Sequence, residues 1–153
     1  MSERIRLADL DEQMQGAIAG TRQRVADLHA ELPRWGLVVW TAGNVSERVV
    51  VDRGDGPVKT DLFVIKPSGV SYDELTADTM VICTLDGEKI DDGTPASLTP
   101  SSDTAAHAYV YRHRDDVGGV VHTHSPYATA WAARREPIPC ALTMMGDEFG
   151  GDI

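Results

Sequence analysis

At 153 residues, 42% apolar and 25% charged, the chain has the size and composition of one folded globular domain with a core of its own. Its formal net charge of −10 argues against nucleic acid, whose binding draws on Lys and Arg at phosphates, yet leaves room for a small phosphorylated ligand that needs only a few local donors. Cys83 and Cys140 are too few and too far apart for a disulfide framework and read as packed thiols in a reducing cytosol, while a charged start and the lack of any apolar run near ~18 residues argue against a signal peptide or a membrane span.

Apolar positions Met14, Ala17, Ile18, Val25, Leu28 and Leu32 recur at three-or-four spacing and predict an amphipathic helix over 11–32. Gly16 and Gly20 weaken its middle and favour a split into two, and Pro33 ends it. Short apolar runs predict strands at 37–40, 45–51 and 62–65, the last two joined as a hairpin by Arg53-Gly54-Asp55-Gly56-Pro57. Residues 72–75 make a helical turn, and 80–83 a strand whose partner begins at Glu88. Ser101 or Ser102 caps a helix running to about Arg114, with Asp103 in its first turn. A strand follows over 119–123, then Ser125-Pro126 opens a helix to Arg134, and 141–144 reads as a last strand. Strands that first meet in hairpins and later alternate with helices predict a mixed sheet covered by helices in a single α/β domain spanning 1–153.

The chemistry centres on His122-Thr123-His124. Side chains at i and i+2 of a strand share a face, so both imidazoles can converge on one metal ion. The other reading is a pair of partly exposed histidines at a strand end. Three polar loops suit an anion: Gly43-Asn44 by close backbone approach and an amide, Lys66-Pro67-Ser68-Gly69 by a cation, a hydroxyl and a glycine N–H, and Ser101-Ser102 by hydroxyls at a helix N-terminus. Each also reads as ordinary turn or cap chemistry. Asp103 doubles as a compensator of the helix dipole, His107 as a structural histidine on the same helical face, and Asp147 as a turn former in a glycine-rich loop, with Glu148 and Asp152 as competing acids.

Taken together, Gly43-Asn44-Val45-Ser46, Phe63-Val64-Ile65-Lys66-Pro67-Ser68-Gly69-Val70, Pro100-Ser101-Ser102-Asp103-Thr104 and Val121-His122-Thr123-His124-Ser125 stand in the order and spacing of a known family. The chain resembles the class II aldolase / L-ribulose-5-phosphate 4-epimerase family, closest to its epimerase branch, from about Trp35 to Gly151. The resemblance implies a three-layer α/β/α sandwich on a largely antiparallel mixed sheet, a divalent metal (usually zinc), a sugar-phosphate substrate and a cytoplasmic homotetramer. It implies His122 and His124 as metal ligands with Asp103 near the metal. It also implies Gly43, Asn44, Ser68, Gly69, Ser101 and Ser102 as substrate and phosphate contacts with Lys66 beside them, and Asp147 as an acid/base, although Met144-Met145-Gly146 departs from the usual residues there. The implied reaction is a retro-aldol cleavage and re-addition through a metal-stabilised enediolate, giving epimerisation. An aldolase releasing the cleaved fragment is the alternative, and a non-catalytic scaffold relative of the adducin type is another. The family carries a third metal histidine and a tyrosine acid/base beyond the point where this chain stops. His29, His107 and His113, all on predicted helices, do not replace the histidine. The chain is therefore expected to be a C-terminally truncated piece with little activity beside a longer, active parent.

Overall fold

The computed structural model describes residues 4–153, so the first three residues of the charged start lie outside it. The chain divides into two compact units, Met1–Thr123 and His124–Ile153.

In the first unit, β1 (Asn44–Asp52), β2 (Pro57–Ile65), β3 (Val81–Thr84) and β4 (Gly119–His122) form one sheet in the order β3-β2-β1-β4. Its ladders are antiparallel, and an isolated parallel bridge joins Arg6 to Asp91. Two helices, α1 (Glu12–Arg34) and α2 (Thr104–His113), flank it. The two-residue period of β2 sorts its apolar side chains between the faces. Leu62 and Val64 meet Ile18 and Val25 of α1 together with Met80 and Ile82, whereas Phe63 and Ile65 meet Ala108 and Tyr111 of α2 together with Val81 and Cys83. One helix on each face gives the expected three layers. Each large apolar side chain in these clusters contributes about 1.5–3 kcal/mol by leaving water.

Helix α1 begins where Asp11 accepts the Met14 N–H at 2.8 Å. Gly16 and Gly20 do not split it, because a continuous buried stripe of Ile18, Thr21, Val25, His29 and Leu32 offsets about 1 kcal/mol of helix propensity lost at each glycine. The predicted stripe packs into the core at Met14, Ala17, Ile18, Val25 and Leu32; only Leu28 is exposed, and His29 beside it takes the core position. Pro33 lies inside the last turn and does not end the helix. The stop is a Schellman motif. Gly36, at φ 66°, donates its N–H to Pro33 O at 3.0 Å, and Leu37 donates to Leu32 O at 3.0 Å.

That motif explains why 37–40 is not the strand predicted for it. Leu37 folds back toward Leu32, Val38 and Val45 as the hydrophobic partner of the helix end. Val39 and Trp40 are then left 70% and 92% exposed, with Trp40 in the left-handed region at φ 53°. The remaining elements of this unit follow the reading closely. The hairpin turns at 53–56, Thr84 donates its N–H to Glu88 O at 2.9 Å, and α2 spans most of the segment assigned to it.

His29 is wholly buried. Its Nε2 accepts the Val45 N–H at 3.0 Å, so Nδ1 carries the proton and donates to Val25 O at 2.6 Å. Burial pushes its pKa down to about 4. The unfolded chain therefore binds a proton between about pH 6.5 and 4 that the folded chain refuses, and stability is lost as pH falls through that window. The full effect is on the order of 3 kcal/mol. We expect urea midpoints of His29→Gln to fall less steeply from pH 6.5 to 4 than those of wild type; parallel slopes would contradict the assignment.

In the second unit, α3 (Pro126–Arg134) starts at its predicted proline, although the Ser125 side chain makes no cap bond. The strand predicted at 141–144 is absent; α4 (Thr143–Phe149) takes its place. The apolar run there lacks alternation, and Leu and Met are good helix formers. Ile138 and Ile153 exchange backbone hydrogen bonds of 2.8 and 3.1 Å, and Asp152 accepts the Cys140 N–H at 2.7 Å. Cys83 is buried as predicted, but Cys140 is exposed. No helix among the described residues is long and apolar enough to cross a membrane.

Candidate active site

The chain enters β1 through a turn that only glycine fits. Gly43 sits at φ 75°, and a Cβ there would meet Val38 Cγ1 at 2.5 Å and His122 O at 2.8 Å. The next residue, Asn44, is buried at the start of β1 opposite His122 of β4. Its Nδ2 donates to Ser101 Oγ at 3.0 Å and to Asp103 Oδ2 at 2.7 Å. The same Oδ2 lies 2.6 Å from His122 Nδ1. A carboxylate only accepts, so Nδ1 bears the proton, and in the neutral ring Nε2 holds the lone pair. This is the carboxylate–imidazole arrangement that fixes tautomer and ring orientation in metal-ligating histidines. Partial burial works against the Asp103 carboxylate, but the bonds from His122 and Asn44 outweigh it and hold its pKa below the usual range.

Asp103 stands at the N-cap of α2 without capping it, since its carboxylate is turned to Asn44 and His122. Ser101 serves the helix start instead: its Oγ accepts the Asp103 N–H at 3.3 Å and its carbonyl accepts from Thr104 N and Oγ1 at 3.0 and 2.6 Å. Ser102, Ser68 and Gly69 are exposed. The loops carrying Lys66–Gly69 and Ser101-Ser102 are tied together by a Pro67–Pro100 bridge, with Ser68 N donating to Thr99 O at 2.8 Å and Ser101 N to Lys66 O at 3.1 Å. Lys66 is buried. Its Nζ donates to Thr41 O at 3.2 Å and Pro67 O at 3.3 Å and lies 5.4 Å from the Tyr72 ring centre, and burial lowers its pKa. Tyr72 in turn donates to Ala42 O at 2.9 Å. Thus Asn44, Lys66, Ser101, Asp103 and His122 are joined through hydrogen bonds, Gly43 precedes Asn44 in the turn, and Ser68, Gly69 and Ser102 are exposed in the same loops.

Behind Asp103, Ser46 Oγ lies 2.7 Å from both His107 Nδ1 and Tyr111 OH, which bears out a structural His107. Burial lowers the His107 pKa and raises that of Tyr111 to about 12. Tyr111→Phe removes one of these bonds and is expected to lower stability in urea by about 1 kcal/mol; no change would show the hydroxyl to be idle. Sequence reasoning missed Ser46, Tyr72, Tyr111 and the tie made by His29. Thr21 and His29 carried a signal, as polar residues at core spacing in α1.

In the second unit, His124 is exposed and lies beyond the end of β4, so the shared-strand spacing does not extend to it. Asp147 is exposed on α4, not in the glycine-rich loop predicted for it, because the helix runs through Gly146 to Phe149 before Gly150 stops it at φ 71°. Among the described residues, no three His, Cys, Asp or Glu side chains gather as a metal-holding group. What fits a metal is one imidazole with its orienting carboxylate, His122 and Asp103. Beside them, Asn44 Oδ1 is buried without a hydrogen-bond partner among the described residues, an acceptor suited to a ligand hydroxyl.

The sheet with its glycine turn, bridged polar loops and carboxylate–imidazole pair points to a class of protein, and the sequence agrees. Residues 23–153 match the family described as Class II Aldolase and Adducin N-terminal domain, and the chain belongs to it. It is 46% identical over 132 residues to the L-ribulose-5-phosphate 4-epimerase UlaF of Salmonella paratyphi C (strain RKS4594), which covers 86% of this chain and 53% of that protein. The protein of the same name from Salmonella choleraesuis (strain SC-B67) matches to the same extent. The chain thus spans about half the length of the curated relatives it matches. Among solved structures, an L-fuculose 1-phosphate aldolase superposes with a TM-score of 0.68 at 28% identity, over 83% of this chain and 54% of that one. The L-fuculose 1-phosphate aldolase from Glaciozyma antarctica PI12 shares the fold at a TM-score of 0.69 and 16% identity, over 87% of this chain and 51% of that one.

Proposed function

We propose that the protein carrying this chain is a metal-dependent sugar-phosphate epimerase acting on L-ribulose 5-phosphate. The observation that carries the reading is the hydrogen-bonded chain Asn44–Asp103–His122, set beside the bridged loops at Lys66 and Ser101. The 46% identity to proteins of that activity supports it.

In this reading His122 and His124 hold a divalent metal, zinc or another, and Asp103 serves it through His122 or as a further ligand. When bound, the metal supplies Lewis acidity toward the sugar oxygens. The exposed hydroxyls of Ser68 and Ser102 and the N–H of Gly69, with Ser101 at the positive end of α2, receive the phosphate. Lys66 adds positive charge to the base of the loops. Asn44 takes a sugar hydroxyl on Oδ1, and Gly43 lets the ligand approach the backbone. Retained by its phosphate, the two-carbon fragment of a retro-aldol cleavage can turn and re-add, inverting C4. Asp147 is the carboxylate assigned to move the C4 hydroxyl proton. The working protein is a cytoplasmic homotetramer in this reading.

The test incubates the protein with zinc and L-ribulose 5-phosphate. Formation of D-xylulose 5-phosphate is expected. Release of glycolaldehyde phosphate and dihydroxyacetone would instead establish an aldolase, the second reading, which the 28%-identical L-fuculose 1-phosphate aldolase structure favours. Equally weak zinc binding by wild type and His122→Ala would sink both and leave a scaffold.

A further inference from the structure

His29 belongs to no loop discussed above, yet the site hangs from it. The β1–β2 ladder has its outermost rung at Ser46–Ile65, so the Val45 N–H lies beyond that ladder. His29 Nε2 takes it at 3.0 Å, and the Nδ1 proton anchors the ring to Val25 O one helical turn earlier at 2.6 Å. The Tyr72 ring packs against it with centroids 6.0 Å apart, and Tyr72 itself holds Ala42 O. The two residues therefore clamp the turn around Gly43 and Asn44 from both ends. A wholly buried ring cannot touch a ligand. Its influence passes through the peptide joining Asn44 to Val45, then through the Asn44 amide to Asp103 Oδ2 at 2.7 Å, and from there to His122 Nδ1 at 2.6 Å.

We propose that His29 is a positioning residue: by holding the Val45 N–H it fixes where Asn44 presents its amide, and so where Asp103 holds the His122 ring. The inference deepens the epimerase reading and rests on it for its kinetic test, but not for its spectroscopic one. Displacements of about 1 Å in a reacting site can cost on the order of 100-fold in rate, so a lost tie at this distance should be measurable.

The experiment compares wild type, His29→Leu and His29→Gln. Glutamine keeps an acceptor that can reach Val45 N–H; leucine keeps bulk alone. For His29→Leu we expect the KM for L-ribulose 5-phosphate to rise about tenfold or more, together with a fall in kcat, and for His29→Gln recovery of most of the difference. A variant that merely unfolds in part would lose apparent kcat at unchanged KM. The second readout is the pair of imidazole 15N shifts of His122, which report its tautomer and its bond to Asp103. They should move in His29→Leu and return in His29→Gln. A folded His29→Leu with wild-type KM and wild-type His122 shifts overturns the proposal. So does a His29→Gln protein that behaves like His29→Leu, and this covers a leucine variant that fails to fold. The kinetic arm uses the whole protein carrying this chain; if its wild type shows no turnover the epimerase reading fails, and the 15N shifts alone decide the role of His29.

Discussion

Asp103→Ala is expected to weaken zinc binding by about 10–100-fold and to take turnover down with it, the loss typical when a metal-ligating histidine is deprived of its orienting carboxylate. In this chain the carboxylate does two jobs at one oxygen, since Oδ2 accepts from Asn44 and from His122. Removing it takes away the bond that orients the His122 ring and leaves the buried Asn44 amide without its shortest partner. Asp103→Asn keeps an acceptor without the charge and should fall between wild type and alanine. Isothermal titration with zinc measures the effect, and an alanine variant with wild-type affinity would remove Asp103 from the site.

The second large effect is steric. Gly43→Ala places a methyl group 2.5 Å from Val38 Cγ1 and 2.8 Å from the His122 carbonyl, at φ 75°. The left-handed conformation costs a non-glycine residue about 1–2 kcal/mol, and overpacking a tight interior adds about 1–3. A destabilisation of roughly 2–5 kcal/mol is expected in urea titrations. Gly69→Ala is the control, because Gly69 has a similar φ of 70° but nothing within 4 Å of the added methyl. It should show the backbone cost alone. Equal losses in the two variants would mean that the crowding at Gly43 relaxes freely.

Why some of this was legible from the sequence and some was not has a physical pattern. Elements that declare themselves locally were read well: the 45–65 hairpin by its Gly-Asp-Gly-Pro turn, and α3 by a proline at its first position. Short apolar runs were read poorly, because a run does not say whether a neighbouring strand exists to receive it. Residues 37–40 became the tail of a helix-ending motif, and 141–144 the start of a helix. In α1 a single position was misread, Leu28 in place of His29, because hydrophobicity alone favours leucine while a buried ring with both nitrogens bonded satisfies the core equally well. At the site, the residues that carry recognisable chemistry were found, and the structure joins Asn44, Ser101, Asp103 and His122 directly. The residues that hold them in place were not, because Ser46, Tyr72 and Tyr111 act through bonds between elements far apart in the chain.

The bridge between Pro67 and Pro100 has a thermodynamic consequence. Two loops that come from distant parts of the chain share paired backbone bonds at their bases, and each carries a proline whose φ is fixed before folding. Fixing one residue's backbone costs about 1–2 kcal/mol of entropy, and here that cost is met during folding, before any ligand arrives. If the proposed function holds, a phosphate entering between Ser68 and Ser101 would meet hydroxyls at a preset separation and order little of the protein on binding. Under the proposed function such a seat would work as a ruler, favouring a phosphate of matching size, since stretching for a larger group would break the pairing at its base.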